Sequence, residues 1–215
     1  MTRQRWYFDG WIVAAGTASG TRLVLGHWPR SPFGAFSDVM IEHPGGERRL
    51  LAPTRRVAGF VADTYTFDHV EVVPVDVRRD GVRWSVRAGR LDLDLVAGHR
   101  TALGRLLRAV PAPLARSHTW AAVCDVPARL LPGVRTLGSA GPGRREWYGA
   151  RDQHRVLSVS ASLGGRDLGG LAPVHPPVTF GFGSAPRAPS VVRITSTVET
   201  AGKTGDPWAA PDHPG

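Results

Sequence analysis

The sequence predicts a mainly β fold with short helices, arranged as an antiparallel lipocalin-like barrel or as two packed half-barrels. The 215 residues include 26 Gly and 18 Pro, a content that excludes a mostly helical chain. Segments with β patterning recur in two stretches, at about 6–97 and 134–199. Residues 91–95 read Leu-Asp-Leu-Asp-Leu, with one apolar and one acidic face. Such a strand is typical of an antiparallel sheet with one side in water.

The first stretch predicts strands joined by glycine turns. Residues 6–29 form two strands around the turn at 16–20, and Pro-Gly-Gly at 44–46 joins a hairpin whose strands are 38–43 and 48–52. Thr54 is placed to cap a short helix with Val57, Phe60 and Val61 on one face. A strand at 70–77 follows, and the Asp-Gly turn at 80–81 returns it through 82–86.

The middle of the chain predicts helices, and the β pattern then resumes. Apolar residues at 103, 106, 107 and 110 mark an amphipathic helix stopped by Pro111, and 114–123 predict a second helix. Later strands are expected at 134–138, 145–148, 154–163 and 191–198. We therefore expect a single β-rich domain over 1–199, with a helical segment at 101–131 and a disordered tail over 200–215.

The net charge of +9 is carried almost wholly by arginine, because Lys203 is the only lysine. The arginines are scattered, without a basic helix or zinc-finger spacing, so a solvated surface is expected rather than a nucleic-acid partner. Cys124 is alone and predicts a buried thiol. No run approaches the roughly 20 apolar residues of a membrane span. We expect a cytoplasmic protein, and the sequence does not indicate an oligomeric state.

Common catalytic motifs are absent. The Gly-Lys-Thr at 202–204 lacks the first glycine of a phosphate-binding loop, and Leu137 stands where a nucleophile elbow needs glycine. The eight histidines include no pair at zinc-ligand spacing. The sequence therefore predicts no cofactor and no metal.

The densest polar and aromatic cluster lies at 144–154. In an extended strand, alternate side chains share a face, and this places Glu146, Tyr148, Asp152 and His154 together. Two carboxylates, a phenol and an imidazole are the usual groups of acid–base chemistry. Alternatively, this is a structural strand whose acids pair with neighbouring arginines. The opposite face is predicted to hold the remaining polar and aromatic side chains, Trp147, Arg151 and Gln153.

A second cluster, with four aromatic residues in six positions, opens the first strand. Trp6, Tyr7 and Trp11 belong to it, and they predict either core packing or an aromatic wall for an apolar ligand. Trp28 and Asp38 are expected to point into the same interior. A buried Asp38 would then need a partner for its carboxyl group.

The order of these segments resembles the lipocalin-like family that includes carotenoid 1,2-hydratase, also called hydroxyneurosporene synthase. The likeness rests on Trp-Tyr-Phe-Asp at 6–9, the strand ending at His27 and Trp28, the Pro-Gly-Gly turn, and an aromatic–glycine–acid motif at 147–154. It covers most of residues 6–165. The chain also resembles uncharacterised actinobacterial proteins.

The resemblance implies an isoprenoid-like ligand and matches Asp152 to the family's proton-donating aspartate. In such a site a desolvated Asp152 with a raised pKa protonates an alkene, Trp147 and Tyr148 face the cation, and His154 orients the water. The family's motif continues with Asn and Gly, which this chain lacks after Asp152. We therefore favour binding of an apolar small molecule without chemistry. Acid catalysis of the hydratase, isomerase or cyclase type and a structural or interaction role are the alternatives.

Overall fold

The fold is built on one strongly curled sheet. The computed structural model describes residues 3–110, 137–139, 144–180 and 185–201. Its helices are α1 (Arg55–Thr64) and α2 (Ala102–Ala109). Its strands are β1 (Arg3–Thr17), β2 (Arg22–Arg30), β3 (Phe36–Glu42), β4 (Arg48–Ala52), β5 (His69–Val72), β6 (Val75–Asp80), β7 (Arg83–Ala88), β8 (Leu91–Arg100), β9 (Leu137–Ser139), β10 (Arg144–Leu163), β11 (Arg166–Asp167), β12 (Leu171–Ala172) and β13 (Ser190–Ala201).

Strands from both ends of the chain join in this sheet. The order is β5-β4-β3-β2-β1-β13-β10-β8-β7-β6, with β9 and β11 beside β10 and β12 beside β1. Neighbours are antiparallel except for β4 and β5, which run parallel. The curl brings β6 against β3 without joining the two edges by a ladder. The sheet is thus a half-barrel, which confirms the predicted mainly β, antiparallel fold class.

The inner face of the sheet holds the largest apolar core. Leu91, Leu93 and Leu95 of β8 are buried there, whereas Asp92 and Asp94 between them face solvent, as their alternation predicts. The same two-residue period brings apolar side chains inward from other strands, among them Val13, Leu25, Val39, Trp84, Val86, Val159 and Val191.

Helix α1 covers part of the outer face. The hydroxyl of Thr54 accepts a hydrogen bond of 3.2 Å from the Val57 amide, which confirms the predicted N-cap. Val57 and Phe60 are buried, and they pack in a cluster with Phe8 and Leu50 from the sheet. The helix therefore stabilises the first four strands from outside.

A buried ion pair fastens the segment after β12 to the sheet. Arg22 of β2 and Glu42 of β3 form a pair of 2.8 Å between Nη2 and Oε1, and each side chain is only 3 % exposed. Glu42 also accepts hydrogen bonds from the amide and the hydroxyl of Thr179, at 2.7 and 3.1 Å. The flanking Val178 and Phe180 are buried against the outer face of the sheet.

Two predicted elements differ from the structure. The single strand expected at 70–77 is two strands, β5 and β6, separated at Pro74, which lacks the amide that a continuing ladder needs. The two strands expected at 145–148 and 154–163 are one strand, β10. The chain crosses between the two outer edges of the sheet at Pro74, because β5 pairs with β4 and β6 with β7.

Helix α2 forms as predicted but buries a different face. Its leucines at 103 and 106 are 39 and 66 % exposed, whereas Gly104 is buried. A β-carbon at Gly104 would meet the backbone of Gln153, so the helix approaches β10 through its smallest residue.

Neither described helix is long and apolar enough to cross a membrane. The helix expected at 114–123, Cys124 and residues 202–215 of the expected tail lie outside the described residues.

We predict that Glu42→Ala lowers the free energy of unfolding by about 3–5 kcal/mol, because it leaves the Arg22 guanidinium buried without its carboxylate. Urea denaturation followed by tryptophan fluorescence measures this change. Glu47→Ala is the matched control, since its pair with Arg49 is partly exposed at 2.9 Å and about 0–1 kcal/mol is expected. Equal losses in the two variants would contradict the role given to the buried pair.

Candidate functional site

A cavity of about 940 Å³ opens at one end of the half-barrel. Strands β1, β2, β6, β7, β8, β10 and β13 contribute to its wall, together with the last turn of α2. Its lining combines an aromatic base with a rim of arginines. Volumes of about 300–1,000 Å³ are usual for small-molecule sites.

The base of the cavity is formed by Trp11 of β1 and Trp84 of β7. The two indole rings meet edge to face, with centroids 6.0 Å apart, and Trp84 is 2 % exposed. The imidazole of His27 packs against both rings at 5.7 Å. His27 Nδ1 also forms a hydrogen bond of 2.8 Å with the Ser37 hydroxyl, so the base is a fixed aromatic cluster.

Guanidinium groups dominate the rim. Six arginines line the cavity: Arg30, Arg79, Arg100, Arg108, Arg151 and Arg193. Asp152 is the only lining carboxylate among the described residues. Asp9 lies beside the rim, where its carboxylate is 2.6 Å from Arg30, 2.8 Å from Arg193 and 4.0 Å from Arg151. Six cations therefore face two anions, which leaves four positive charges in excess.

Arg193 contacts an aromatic ring, a backbone carbonyl and a carboxylate. Its guanidinium lies 4.2 Å from the centroid of the Trp11 ring and donates a hydrogen bond of 2.7 Å to the Gly10 carbonyl. Burial lowers the pKa of Arg193, the attraction of Asp9 raises it, and the nearby charges of Arg151 and Arg30 lower it, with a net decrease. Arg30, Arg151 and Arg193 therefore lie close together around the carboxylate of Asp9.

Asp152 is ion-paired. Its carboxylate is 2.7 Å from Arg100 Nε and 3.9 Å from Arg108 Nη1, and it accepts a hydrogen bond of 2.9 Å from the Gln153 amide. Partial burial raises the pKa of Asp152, but the hydrogen bonds from Arg100 and Gln153 and the charges of Arg100 and His154 outweigh this, so its pKa is lowered. The expected raised pKa is therefore wrong, because Arg100 of β8, distant in sequence, supplies a positive partner.

His154 stands beside Asp152 on the same wall. Its Nδ1 lies 2.9 Å from the Gly98 carbonyl, which only accepts hydrogen bonds, so Nδ1 carries a hydrogen. Its Nε2 lies 3.6 Å from Asp152 Oδ2. The structure thus places Asp152 and His154, two of the predicted site residues, side by side.

A one-residue shift in β10 changes the predicted faces. Ala150 pairs with Ile194, but Asp152 pairs with Arg193, so Arg151 is an extra residue in the ladder. The expectation that Arg151 lies on the face opposite Asp152 is wrong, since both line the cavity. The alternation expected across residues 146–154 is interrupted for the same reason.

The other predicted site residues are distributed over three places. Trp11 lines the cavity. Trp6, Trp28 and Asp38 are buried in or beside the outer cluster under α1, away from the cavity, and Tyr7 is 55 % exposed. Trp6 is core, which is one of the two alternatives that the sequence left open. The interior placement expected for Trp28 and Asp38 is wrong, because a strand sends neighbouring side chains to opposite faces. The side chains of Glu146, Trp147 and Tyr148 lie outside the described part, and their roles stay predictions.

The sequence did predict that a buried Asp38 needs a partner. Trp28 Nε1 donates a hydrogen bond of 3.1 Å to Asp38 Oδ1, and Asp38 is 2 % exposed. Burial raises the pKa of Asp38 to about 7, although the bond from Trp28 opposes this. This carboxyl group belongs to the outer core and has no part in the cavity.

Sequence reasoning missed most of the arginine rim. Arg30, Arg79, Arg100, Arg108 and Arg193 come from five different elements and share no motif. Read singly they indicate a solvated surface, and only the curl of the sheet brings them together. Within the described residues, no three His, Cys, Asp or Glu side chains are grouped as a metal site.

Comparisons with known proteins give structural likeness only. No family model and no curated protein sequence matches the chain, so the carotenoid hydratase resemblance has no support there. An acetoacetate decarboxylase from Legionella pneumophila has a TM-score of 0.42 at 9 % identity, covering 93 % of this chain and 86 % of its own. A second acetoacetate decarboxylase structure has a TM-score of 0.42 at 7 % identity, and the match covers 92 % of this chain and 87 % of that one. A putative AttH protein from Nitrosomonas europaea has a TM-score of 0.26 at 14 % identity, and the match covers 95 % of this chain and 53 % of that protein.

We predict that Asp38 makes stability depend on pH. The folded-state pKa of about 7 lies above the ordinary value of 3.8, so the stability associated with this carboxyl group is fully present below pH 3.8 and is lost as pH rises towards 7. The loss amounts to about 4 kcal/mol, at about 1.4 kcal/mol for each unit of pKa shift.

Urea denaturation between pH 4 and 8 measures this dependence in the native protein and in Asp38→Asn, which cannot ionise. We expect the difference in unfolding free energy between them to change across that range and to level off above about pH 7. Asp80→Asn, at an exposed position, controls for the loss of one carboxylate. Parallel pH profiles for the native protein and Asp38→Asn would refute the assignment.

Proposed function

We propose that the protein binds a small amphiphilic anion in the cavity at the end of the half-barrel. The observation that carries this proposal is the lining itself, in which six guanidinium groups surround an aromatic base and are matched by one carboxylate in the wall. The anionic group of the ligand lies among the arginines, and its apolar body contacts the apolar side chains of the lining, which include Leu107 and Val110.

Charge supports an anionic ligand. Burial lowers the pKa of His27 at the base of the cavity, and the positive charges of Arg79 and Arg193 lower it further. The charges of these two lining arginines therefore act on the imidazole that packs against both tryptophans. Like charges gathered on low-dielectric walls repel one another and attract anions, and a bound anion relieves this repulsion.

Size and shape support a small molecule. The volume of about 940 Å³ exceeds what a single inorganic anion fills. Ala97 and Val191 add apolar wall beside the tryptophans. A lipid or isoprenoid chain suits this apolar part of the lining. The apolar ligand expected from the sequence is therefore kept as the body of the ligand, and a charged group is added to it.

Binding is better supported than acid catalysis by Asp152. Protonation of an alkene requires an un-ionised carboxyl group, whereas the pair with Arg100 at 2.7 Å and the lowered pKa keep Asp152 as a carboxylate. In this role Asp152 positions Arg100 and Arg108 on the rim. A nucleic-acid duplex is a poor fit, because the arginines converge on a cavity.

We expect the protein to distinguish two fluorescent probes with nearly the same aromatic body. 8-Anilinonaphthalene-1-sulfonate carries a sulfonate, and 1-anilinonaphthalene is neutral. The sulfonate probe should bind at least about 10-fold more tightly, a difference of about 1.4 kcal/mol, and its affinity should fall as salt is added. Fluorescence titration measures both affinities.

The double variant Arg30→Gln with Arg108→Gln locates the probe, because both side chains are mostly exposed and their loss does not disturb the core. It should weaken the sulfonate probe about 10-fold and leave the neutral probe unchanged. Arg78→Gln with Arg83→Gln, at exposed positions outside this cavity, is the matched control. Equal affinity of the native protein for the two probes would exclude the proposed function.

A further inference from the structure

We infer that the ligand is a carboxylate with an elongated apolar chain, a fatty-acid-like molecule, whose head group is held by Arg79. This inference rests on the proposed function and specifies its ligand class. The structure supports it through the uncompensated charge of Arg79, the apolar side chains at the end of α2 and the kind of hydrogen-bond donors that line the cavity.

Arg79 is the lining arginine without an acidic partner. No carboxylate lies within 4.0 Å of it in the described part of the chain, and its hydrogen bond from Nε to the Gly81 carbonyl is long, at 3.4 Å. Its guanidinium lies over both tryptophans, 4.9 Å from the Trp11 centroid and 5.1 Å from the Trp84 centroid. The two rings position the group by cation–π contact, and no hydrogen bond within the described residues occupies its two Nη atoms, which are therefore available for an anion.

The other five arginines are already neutralised in part. Arg30, Arg151 and Arg193 share Asp9, and Arg100 and Arg108 share Asp152. An incoming anion would have to compete with those carboxylates. The guanidinium of Arg79 is positioned by two rings and has no carboxylate beside it within the described residues. The head group is therefore best stabilised at Arg79.

The end of α2 determines where the chain of the ligand lies. The last turn of α2 lines the cavity with Leu107 and Val110, and a helix carries partial negative charge at its C-terminal end. Arg108 of the same turn is already paired with Asp152, and the neighbouring side chains that this end adds to the cavity are apolar. The chain of the ligand therefore runs from Arg79 towards Leu107 and Val110.

The donors in the cavity favour a carboxylate over a phosphate. Phosphate groups are commonly held by the free amides at a helix N-terminus. Here the amide of Gly104 in the first turn of α2 is capped by the Thr101 hydroxyl at 2.9 Å, and it is the other end of α2 that lines the cavity. The single available guanidinium edge of Arg79 matches the two oxygens of one planar carboxylate.

Titration calorimetry with three probes of equal chain length tests the head group: dodecanoate, dodecyl phosphate and dodecanol, each below its aggregation concentration. We expect the native protein to bind dodecanoate at least about 10-fold more tightly than dodecanol, with dodecyl phosphate weaker than dodecanoate. Arg79→Gln should reduce dodecanoate affinity about 10-fold and leave dodecanol within about twofold. Arg79→Lys, which keeps the charge without the planar fork, should recover only part of the loss.

Arg78→Gln is the matched control, because this exposed neighbour lies on the opposite face of β6 and does not line the cavity. It should leave all three affinities unchanged. Undiminished dodecanoate binding by Arg79→Gln, with the preference over dodecanol retained, would overturn the role of Arg79 while leaving the proposed function standing. Tighter binding of dodecyl phosphate than of dodecanoate would overturn the carboxylate class. Absence of any preference for anions would defeat the proposed function itself.

The position of the chain is tested on α2. Leu107→Ala should weaken dodecanoate and dodecanol by the same factor, about 5-fold, because it removes apolar wall and no charge. Leu106→Ala, at a leucine that is 66 % exposed and does not line the cavity, is the matched control and should change neither affinity. Equal effects of the two substitutions, or no effect of Leu107→Ala, would contradict the proposed orientation.

Discussion

The two-residue period of the strands is the constraint on which the rest of this structure depends. Each central strand contributes side chains to an inner core and to an outer core. In β1, for example, Val13 packs in the inner core and Ala14 in the outer one. Because the sheet curls, the inner side chains converge and the outer ones spread apart. Convergence makes the inner end a cavity, and the outer face needs the cover of α1 and of the segment around Thr179.

The same geometry concentrates charge. Arginines that are far apart in the sequence meet at the open end of the sheet, where Asp9 and Asp152 each hold a group of them in place. The two carboxylates orient the rim without neutralising it. Cation–π contacts add order to Arg79, which lies over Trp11 and Trp84, and to Arg193, which lies over Trp11. This arrangement is pre-organised for the anionic ligand that we propose.

One extra residue decides which side chains of the predicted acid–base motif reach the cavity. At Arg151 the ladder between β10 and β13 shifts by one position, and from there Asp152 and His154 follow the inner face. Asp152 then meets Arg100, from a strand more than fifty positions earlier in the chain, and the acid predicted from the motif is an ion-paired carboxylate. The residues of the motif could be identified from the sequence. The ionisation state of Asp152 could not, because it depends on Arg100, which only the fold brings near.

The sequence by itself determined the class of fold, the hairpins, the capped helix after Thr54 and the one-sided strand at 91–95, because turns, caps and alternation are local properties. It also indicated that Asp38, if buried, would need a partner. Only the tertiary structure decided that β6 crosses to the far edge of the sheet, that Trp28 and Asp38 lie outside while Trp11 lies inside, and that six arginines share one cavity. Those outcomes follow from strand order, register and curl, which depend on contacts between residues remote in the chain and leave no mark in any short stretch of it.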